Sequence, residues 1–388
     1  MSVGIDEISF YTSSYYFDLR VLAEFQNTDP EKYYVGIGQE KMGMAAPDED
    51  VVTMAANAAL PLIERVGTDA IGSLLFATET GIDQSKSAGV YVHRLLGLNP
   101  NCRVVELKQA CYSATAALQM ACALVARDPS RKVLVIASDI ARYDLNTPGE
   151  ATQGCGAVAM LISSDPRLVS IDPEVGNHTE DVMDFWRPNY RNTALVDGKY
   201  STKIYLRSLK RAWENFRAAS GRGFDELSYF CYHLPFSRMA QKAHQHLAKL
   251  NKAGMSQEQL EQQIEPTLNY NRTIGNSYTA SMYIGLCSLL ENCQENLDGQ
   301  KIGFFSYGSG CVAEFFSGSV VKGYRDCLHG ERHRQMLEQR ESLTYDDYLK
   351  LYHHPDFRDG EEHPLPHVTR GRFRLAAISH HKREYVPC

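Results

Sequence analysis

No stretch of this 388-residue chain is apolar for the roughly 18 to 20 residues that a membrane span needs. Its longest apolar runs, "VLVIAS" (133–138) and "GAVAMLI" (156–162), are of strand length. The opening "MSVGIDEISFY" lacks the basic region and apolar core of a secretory signal, so a cytoplasmic protein with no membrane contact is expected. The ten cysteines include no CxxC pair and no framework spacing, which reads as reduced thiols rather than disulfides. Basic excess is missing too: 40 Lys and Arg against 47 Asp and Glu leave a net charge of −7, which disfavours a nucleic-acid binder. The histidine pairs at 353–354 and 380–381 have no cysteine or carboxylate at ligand spacing, and no metal is expected. "SYGSG" (306–310) lacks the Lys-Ser/Thr of a phosphate loop and suits a tight turn beside a substrate.

What is present is an ordinary globular composition, 44% hydrophobic and 22% charged, on a chain long enough for two core units. Short continuous apolar runs alternate with helical patterns. "SLLFATE" (73–79), "CRVVELK" (102–108), "KVLVIASD" (132–139) and "GAVAMLI" (156–162) read as buried strands. "SAGVYVHRLLG" (87–97) and "SATAALQMACALVA" (113–126) read as helices. This is the α/β pattern of a sheet covered on both faces. The order strand, helix, strand, strand then recurs in "LSYFCYHLPF" (227–236), "GNSYTASMYIGLCSLLE" (275–291), "KIGFFSYGSG" (301–310) and "CVAEFFSGSV" (311–320). A duplicated architecture follows, with similar halves at 1–165 and 215–388. Residues 166–214 are expected to be an insertion near the site or a dimer contact, and the tail from 325 is expected to dock on the second half.

The repeat makes a statement about chemistry. Ligands of α/β folds collect at carboxyl ends of strands and at helix N-termini. In the first half those points are Glu79 and Cys111; in the second they are His233 and Asn276. Singly, each has an ordinary explanation: a buried thiol, a cap, a core histidine. At matching points of a repeat they read as one pocket. A cysteine at a helix N-terminus is expected to have a lowered pKa and to attack a thioester carbonyl. A carboxylate beside the resulting acetyl-thioester can remove a methyl proton, which makes the reaction carbon–carbon bond formation. His233 and Asn276 would then polarise the carbonyl of a second substrate.

The stretches "YYVGIGQEKM", "FATET", "ACYSAT", "ASDIARY", "TQGCGAVAML", "EDVMDFWRP", "VDGKYS", "YHLPF", "NRTIGNSYTAS" and "FSYGSG" run in order along the chain. Their order and wording resemble the bacterial 3-hydroxy-3-methylglutaryl-CoA synthases of the thiolase superfamily. The resemblance implies a layered αβαβα thiolase-like fold and a homodimer in the mevalonate route to isoprenoids. It also implies condensation of acetyl-CoA with acetoacetyl-CoA, without metal or redox cofactor. It assigns acetyl transfer to Cys111, proton transfer to Glu79, orientation of the acetoacetyl thioester to His233, and a carbonyl hydrogen bond to Asn276. Asp29, Lys32, Thr152, Ser201, Lys242 and Ser309 would line the substrate site, with Asp139, Tyr143 and Asp184 as polar neighbours. Arg238 stands where the family usually has a lysine facing CoA phosphates. Two other readings remain at this stage. A ketoacyl-synthase-type enzyme would decarboxylate a malonyl thioester and so would need no base at Glu79. A non-catalytic acyl-CoA-binding protein would not need all four residues.

Overall fold

The computed structural model describes residues 2–388. The apolar runs form a nine-stranded mixed sheet. Its strands are β1 (Val3–Tyr11), β2 (Ile71–Ala77), β3 (Arg103–Leu107), β4 (Lys132–Ala141), β5 (Gly154–Ser164), β6 (Val169–Thr179), β7 (Tyr229–Tyr232), β8 (Lys301–Gly308) and β9 (Val312–Val320). Across the sheet the order is β7-β8-β9-β6-β1-β5-β4-β2-β3. β1 and β6 meet over two pairs, Gly4↔Ser170 and Ile5↔Val169. Outward from that seam the pattern repeats. Antiparallel β1–β5 and β5–β4 are matched by β6–β9 and β9–β8, and parallel β4–β2 by β8–β7. β3 is an extra edge strand on the first half.

The helices that position the site are α1 (Val51–Val66), α2 (Ala88–Leu95), α3 (Ser113–Arg127), α4 (Gly198–Ser220), α5 (Arg238–Leu250), α6 (Asn269–Ile274) and α7 (Ser281–Asn292). The tail adds α8 (Gly330–Glu338) and α9 (Tyr345–Tyr352). Three buried clusters define the layers. α1 and α2 pack on one outer face, and α4 and α5 pack on the other. Between the two halves of the sheet lie α3 and α7, in one cluster with residues of β1, β4, β5, β7 and β8. This is the αβαβα layering of the thiolase-like fold. The small side chains Ala114, Ala117 and Ala121 let α3 enter a layer closed on both sides, and Thr115 Oγ1 meets the Tyr283 hydroxyl of α7 at 2.8 Å. Strands such as β4 are apolar without alternation because both faces are covered. Among the described residues no helix is long and apolar enough to cross a membrane.

Two expectations change. Residues 166–214, read as an insertion, supply β6 and most of α4, which mirror β1 and α1. β6 is sheet core because it pairs with both β1 and β9. Most of the tail docks on the first half rather than the second, although His333 of α8 meets Glu291 of α7 and Arg340 donates to the Thr273 carbonyl. Leu365, Phe373, Leu375 and Tyr385 share a cluster with α1 and α2. The acidic start of α1 anchors them: Asp48 accepts the Val368 and Thr369 N–H groups, and Asp50 accepts the Tyr385 hydroxyl at 2.6 Å.

Candidate active site

Cys111 lies two residues ahead of α3, at the inner layer where the halves meet. It is 8% exposed and packs with Ala141, Tyr143, Ala194, Tyr278 and Phe185. Its thiol donates to Glu79 Oε1 at 2.8 Å. Glu79 follows the carboxyl end of β2 by two residues and remains partly exposed. Its backbone is fixed by Asp139, at the end of β4, which is fully buried. Asp139 Oδ1 accepts from Thr78 Oγ1, Glu79 N, Thr80 N and Thr80 Oγ1 at 2.6–3.0 Å. Its other oxygen accepts from the N–H and hydroxyl of Thr279, in the second half. One carboxylate therefore ties the glutamate loop to the segment entering α7. Ala110 and Tyr278 both adopt φ of +44°, and each stands three residues ahead of its helix. Such left-handed backbone in non-glycine residues collects at functional sites.

His233 directly follows β7 and is 4% exposed. Its Nδ1 sits 2.9 Å from the Ser281 hydroxyl at the start of α7, its backbone N–H donates to Phe305 O, and its carbonyl accepts the Tyr205 hydroxyl. That leaves Nε2 as the nitrogen for a ligand. Asn276 is buried, accepts the Tyr278 N–H at 2.9 Å and donates its own N–H to the Thr152 carbonyl. The approach is tight enough to require glycine. A Cβ on Gly275, whose φ is +85°, would fall 2.0 Å from the Gln153 carbonyl, and one on Gly154 would fall 2.5 Å from that of Ile274.

Burial, reinforced by the charge of Asp139, pushes the Glu79 carboxyl up to about 8, against the pull of the Cys111 thiol and Arg187. Burial pushes the Cys111 thiol well above its ordinary value, and the charges of Glu79, Asp139 and Asp184 add to the effect. This overturns the expectation of a lowered thiol pKa. Proximity to a helix N-terminus is outweighed here by desolvation and three carboxylates. Burial pushes His233 down to about 3, so it is a neutral imidazole at physiological pH.

The other candidates fall into two groups. Asp184 is buried and takes the hydroxyls of Ser201 (3.0 Å) and Tyr307 (2.6 Å) and the N–H of Gly310, beside the turn that carries Ser309. Tyr143 is in the cluster with Cys111, and Thr152 is beside Asn276. Asp29, Lys32, Arg238 and Lys242 touch none of these and are exposed. The loop after Lys32 does reach α5, where the Arg238 N–H donates to Ile37 O, and Lys242 lies one turn further along. The acidic protein thus carries a local basic rim.

The chain matches the family described as "Hydroxymethylglutaryl-coenzyme A synthase N terminal" over residues 1–167, and its C-terminal counterpart over 169–253 and 246–354. The chain belongs to the hydroxymethylglutaryl-CoA synthase family. A hydroxymethylglutaryl-CoA synthase of Enterococcus faecalis is 43% identical over 353 residues, 91% of this chain and 92% of that protein. A solved HMG-CoA synthase complexed with CoA superimposes with a TM-score of 0.96 at 41% identity, covering 100% of both chains. A second structure, MvaS in complex with 3-hydroxy-3-methylglutaryl coenzyme A, gives 0.90 at 38% identity and covers 100% of this chain and 99% of that one. The chain is therefore an enzyme of the condensing, acyltransferase type, which sets aside the binding-protein reading.

Within this hydroxymethylglutaryl-CoA synthase fold, several residues escaped the sequence reading. Arg187 donates to the Glu79 carbonyl. Thr279, two residues ahead of α7, is the true positional counterpart of Cys111, while Asn276 lies five residues ahead. Ser281 holds His233. Thr279 was hidden because the helix read from 275 opens only at Ser281; nothing local marks Arg187 except its place in "FWRP".

Proposed function

We propose that the chain condenses acetyl-CoA with acetoacetyl-CoA and water, giving 3-hydroxy-3-methylglutaryl-CoA and CoA, with Cys111 as acyl acceptor. The observation that carries this reading is the 2.8 Å contact between the Cys111 thiol and the Glu79 carboxylate in a buried pocket. Cys111 sulfur attacks the acetyl thioester carbonyl, its proton passes through Glu79 to the departing CoA sulfur, and CoA leaves as thiol with Glu79 again a carboxylate. Glu79 then takes a methyl proton from the acetyl group. The carbanion attacks the keto carbon of acetoacetyl-CoA, whose oxygen is polarised by donors in the His233 and Asn276 region and then takes the proton back from Glu79 to become the 3-hydroxyl. Water cleaves the enzyme thioester, releases the product and restores the Cys111 thiol. These steps consume only the two thioesters and water, so the reading calls for no metal or redox cofactor. Lys32, Arg238 and Lys242 would meet the CoA phosphates, with Asp29 on the same rim. Thr152, Ser201 and Ser309 would line the acyl passage, with Tyr143 and Asp184 as its polar neighbours. We assign the product to the mevalonate route and the protein to the cytoplasm as a homodimer. The unpaired side of edge strand β3, with Val105 43% exposed, supports the dimer.

Intact-protein mass spectrometry after mixing with acetyl-CoA tests the reading. An acetyl adduct is expected, absent in Cys111→Ala, and discharged by acetoacetyl-CoA with formation of 3-hydroxy-3-methylglutaryl-CoA. No adduct on active, reduced protein would remove Cys111 from the mechanism. At the rim, Arg238→Lys keeps the charge and loses only the fork geometry. Its Michaelis constant for the acyl-CoA substrate is expected to rise less than about tenfold; a larger rise in steady-state kinetics would make Arg238 a specific phosphate ligand.

A further inference from the structure

Away from Cys111, the fold gathers four arginines around a second cavity whose wall contains no acidic side chain. The cavity, of about 180 Å³, lies where α8 and the Arg370–Arg372 segment cross the Thr12–Ser14 turn and Asn57 of α1. Arg340 is the buried member, 8% exposed. Its Nη1 donates to the Thr273 carbonyl at 2.9 Å and its Nε to the Leu337 carbonyl at 3.3 Å, and its guanidinium lies 5.2 Å from the centre of the Tyr16 ring. These partners are neutral, and among the described residues no carboxylate forms an ion pair with it. Burial pushes its pKa down to about 10. A guanidinium buried against carbonyls alone keeps an uncompensated charge, a costly arrangement unless an anion joins it. Arg332, Arg370 and Arg372 are exposed at the rim. Arg332 and Arg370 have carboxylate partners, Glu64 and Glu341, which are not part of the cavity wall. Arg372 donates to the Cys388 carbonyl.

We propose that this cavity binds a small, multiply charged oxyanion of the phosphate class, with Arg340 as the buried ligand and Arg332, Arg370 and Arg372 around its mouth. Guanidinium groups match such oxygens with paired N–H donors. The volume is below the roughly 300 Å³ at which sites for drug-sized molecules begin, which favours a phosphate-sized group over a whole cofactor. None of the acyl-CoA rim residues lines it, so the site stands independently of the reaction assigned above. It is connected to the active site through one strut: Thr273, which Arg340 holds, lies in α6 three residues before Asn276.

The test is thermal unfolding of the full chain with sodium phosphate against sodium chloride at equal ionic strength. Saturating CoA is present throughout, to occupy the phosphate-binding groups of the acyl-CoA site. A saturable rise in Tm with phosphate is expected. Arg332→Gln combined with Arg372→Gln, both surface changes, is expected to weaken the response at least tenfold in concentration, whereas Arg238→Gln leaves it in place. A parallel titration with glycerol phosphate separates the sources. An equal response assigns the site to a phosphate group on a larger molecule, and a response to inorganic phosphate alone assigns it to the free ion. Equal Tm in phosphate and chloride, or a response undiminished by the rim double variant, would overturn the proposal.

Discussion

Glu79→Ala is expected to take up an acetyl group on Cys111 and then stall. The substitution removes the carboxylate that receives the methyl proton, so turnover should fall by about 10² to 10⁴, the usual range for a positioned general base. Acylation also loses its proton relay, but water can carry the thiol proton in place of Glu79, so this step should fall far less. Glu79 raises the thiol pKa both by its charge and by accepting the Cys111 hydrogen bond. Without it the thiolate is easier to form. Intact-mass spectrometry should therefore show a persistent adduct that acetoacetyl-CoA no longer discharges. Wild-type condensation in this variant would take Glu79 out of the mechanism.

The same carboxyl carries a stability signature of known sign. An unfolded glutamate titrates near 4.5, and the folded one is pushed up to about 8. Between those values the folded state binds the extra proton, so stability falls as pH rises through the window and the loss is complete above about pH 8. Glu79→Gln abolishes this ionisation penalty, which is on the order of a few kcal/mol. Its Tm advantage over the wild type should be small at pH 4.5 and large at pH 8.5. A pH-independent difference would mean that Glu79 ionises as an ordinary exposed carboxylate.

β2, β4 and β5 of the first half and β7, β8 and β9 of the second were legible because both of their faces are buried, so the apolar run is continuous. β3 showed its apolar run although it is a partly exposed edge, and β1, whose run is interrupted by Asp6, Glu7 and Ser9, was not read as a strand. β6 was hidden as well. "VSIDPEVGNHT" mixes polar and apolar residues, includes Pro173 and Gly176, and much of it is only partly buried. α4 was hidden under the charged surface of "KYSTKIYLRSLKRAW", although Ile204, Leu209, Ala212 and Trp213 form a buried stripe. The docking of the tail depends on Asp48 and Asp50, more than 300 residues earlier, and no local pattern encodes that. At the site, Glu79 and Cys111 could be paired from the repeat because strand ends and helix starts converge in this architecture. The electrostatics could not. The helix N-terminus is visible in sequence, but the depth of the pocket and the three carboxylates facing the thiol are products of packing.

Asp139→Ala should have the largest effect on stability. Two oxygens of one buried side chain accept six hydrogen bonds, four from the Thr78–Thr80 segment and two from Thr279. Truncation leaves buried N–H and O–H donors unpaired at about 1–3 kcal/mol each, softened where hydroxyls rotate or water enters. A net loss of roughly 3–5 kcal/mol is expected in urea unfolding; a loss under about 1 kcal/mol would mean that the network is not structural. Asp139→Asn separates the two functions of the carboxylate. Its retained oxygen can still serve the four donors around Glu79, but its amide then faces the Thr279 N–H, donor against donor. The Thr279 hydroxyl can turn to accept; the backbone N–H cannot. Cys111 should therefore still acylate, because the Glu79 loop is held, while the Asn276–Thr279 segment loosens on the side assigned to the second substrate. The expected kinetic signature is a raised KM for acetoacetyl-CoA with acetyl transfer preserved. Equal losses in both half-reactions would place the effect of Asp139 on Glu79 alone rather than on the tie between the halves.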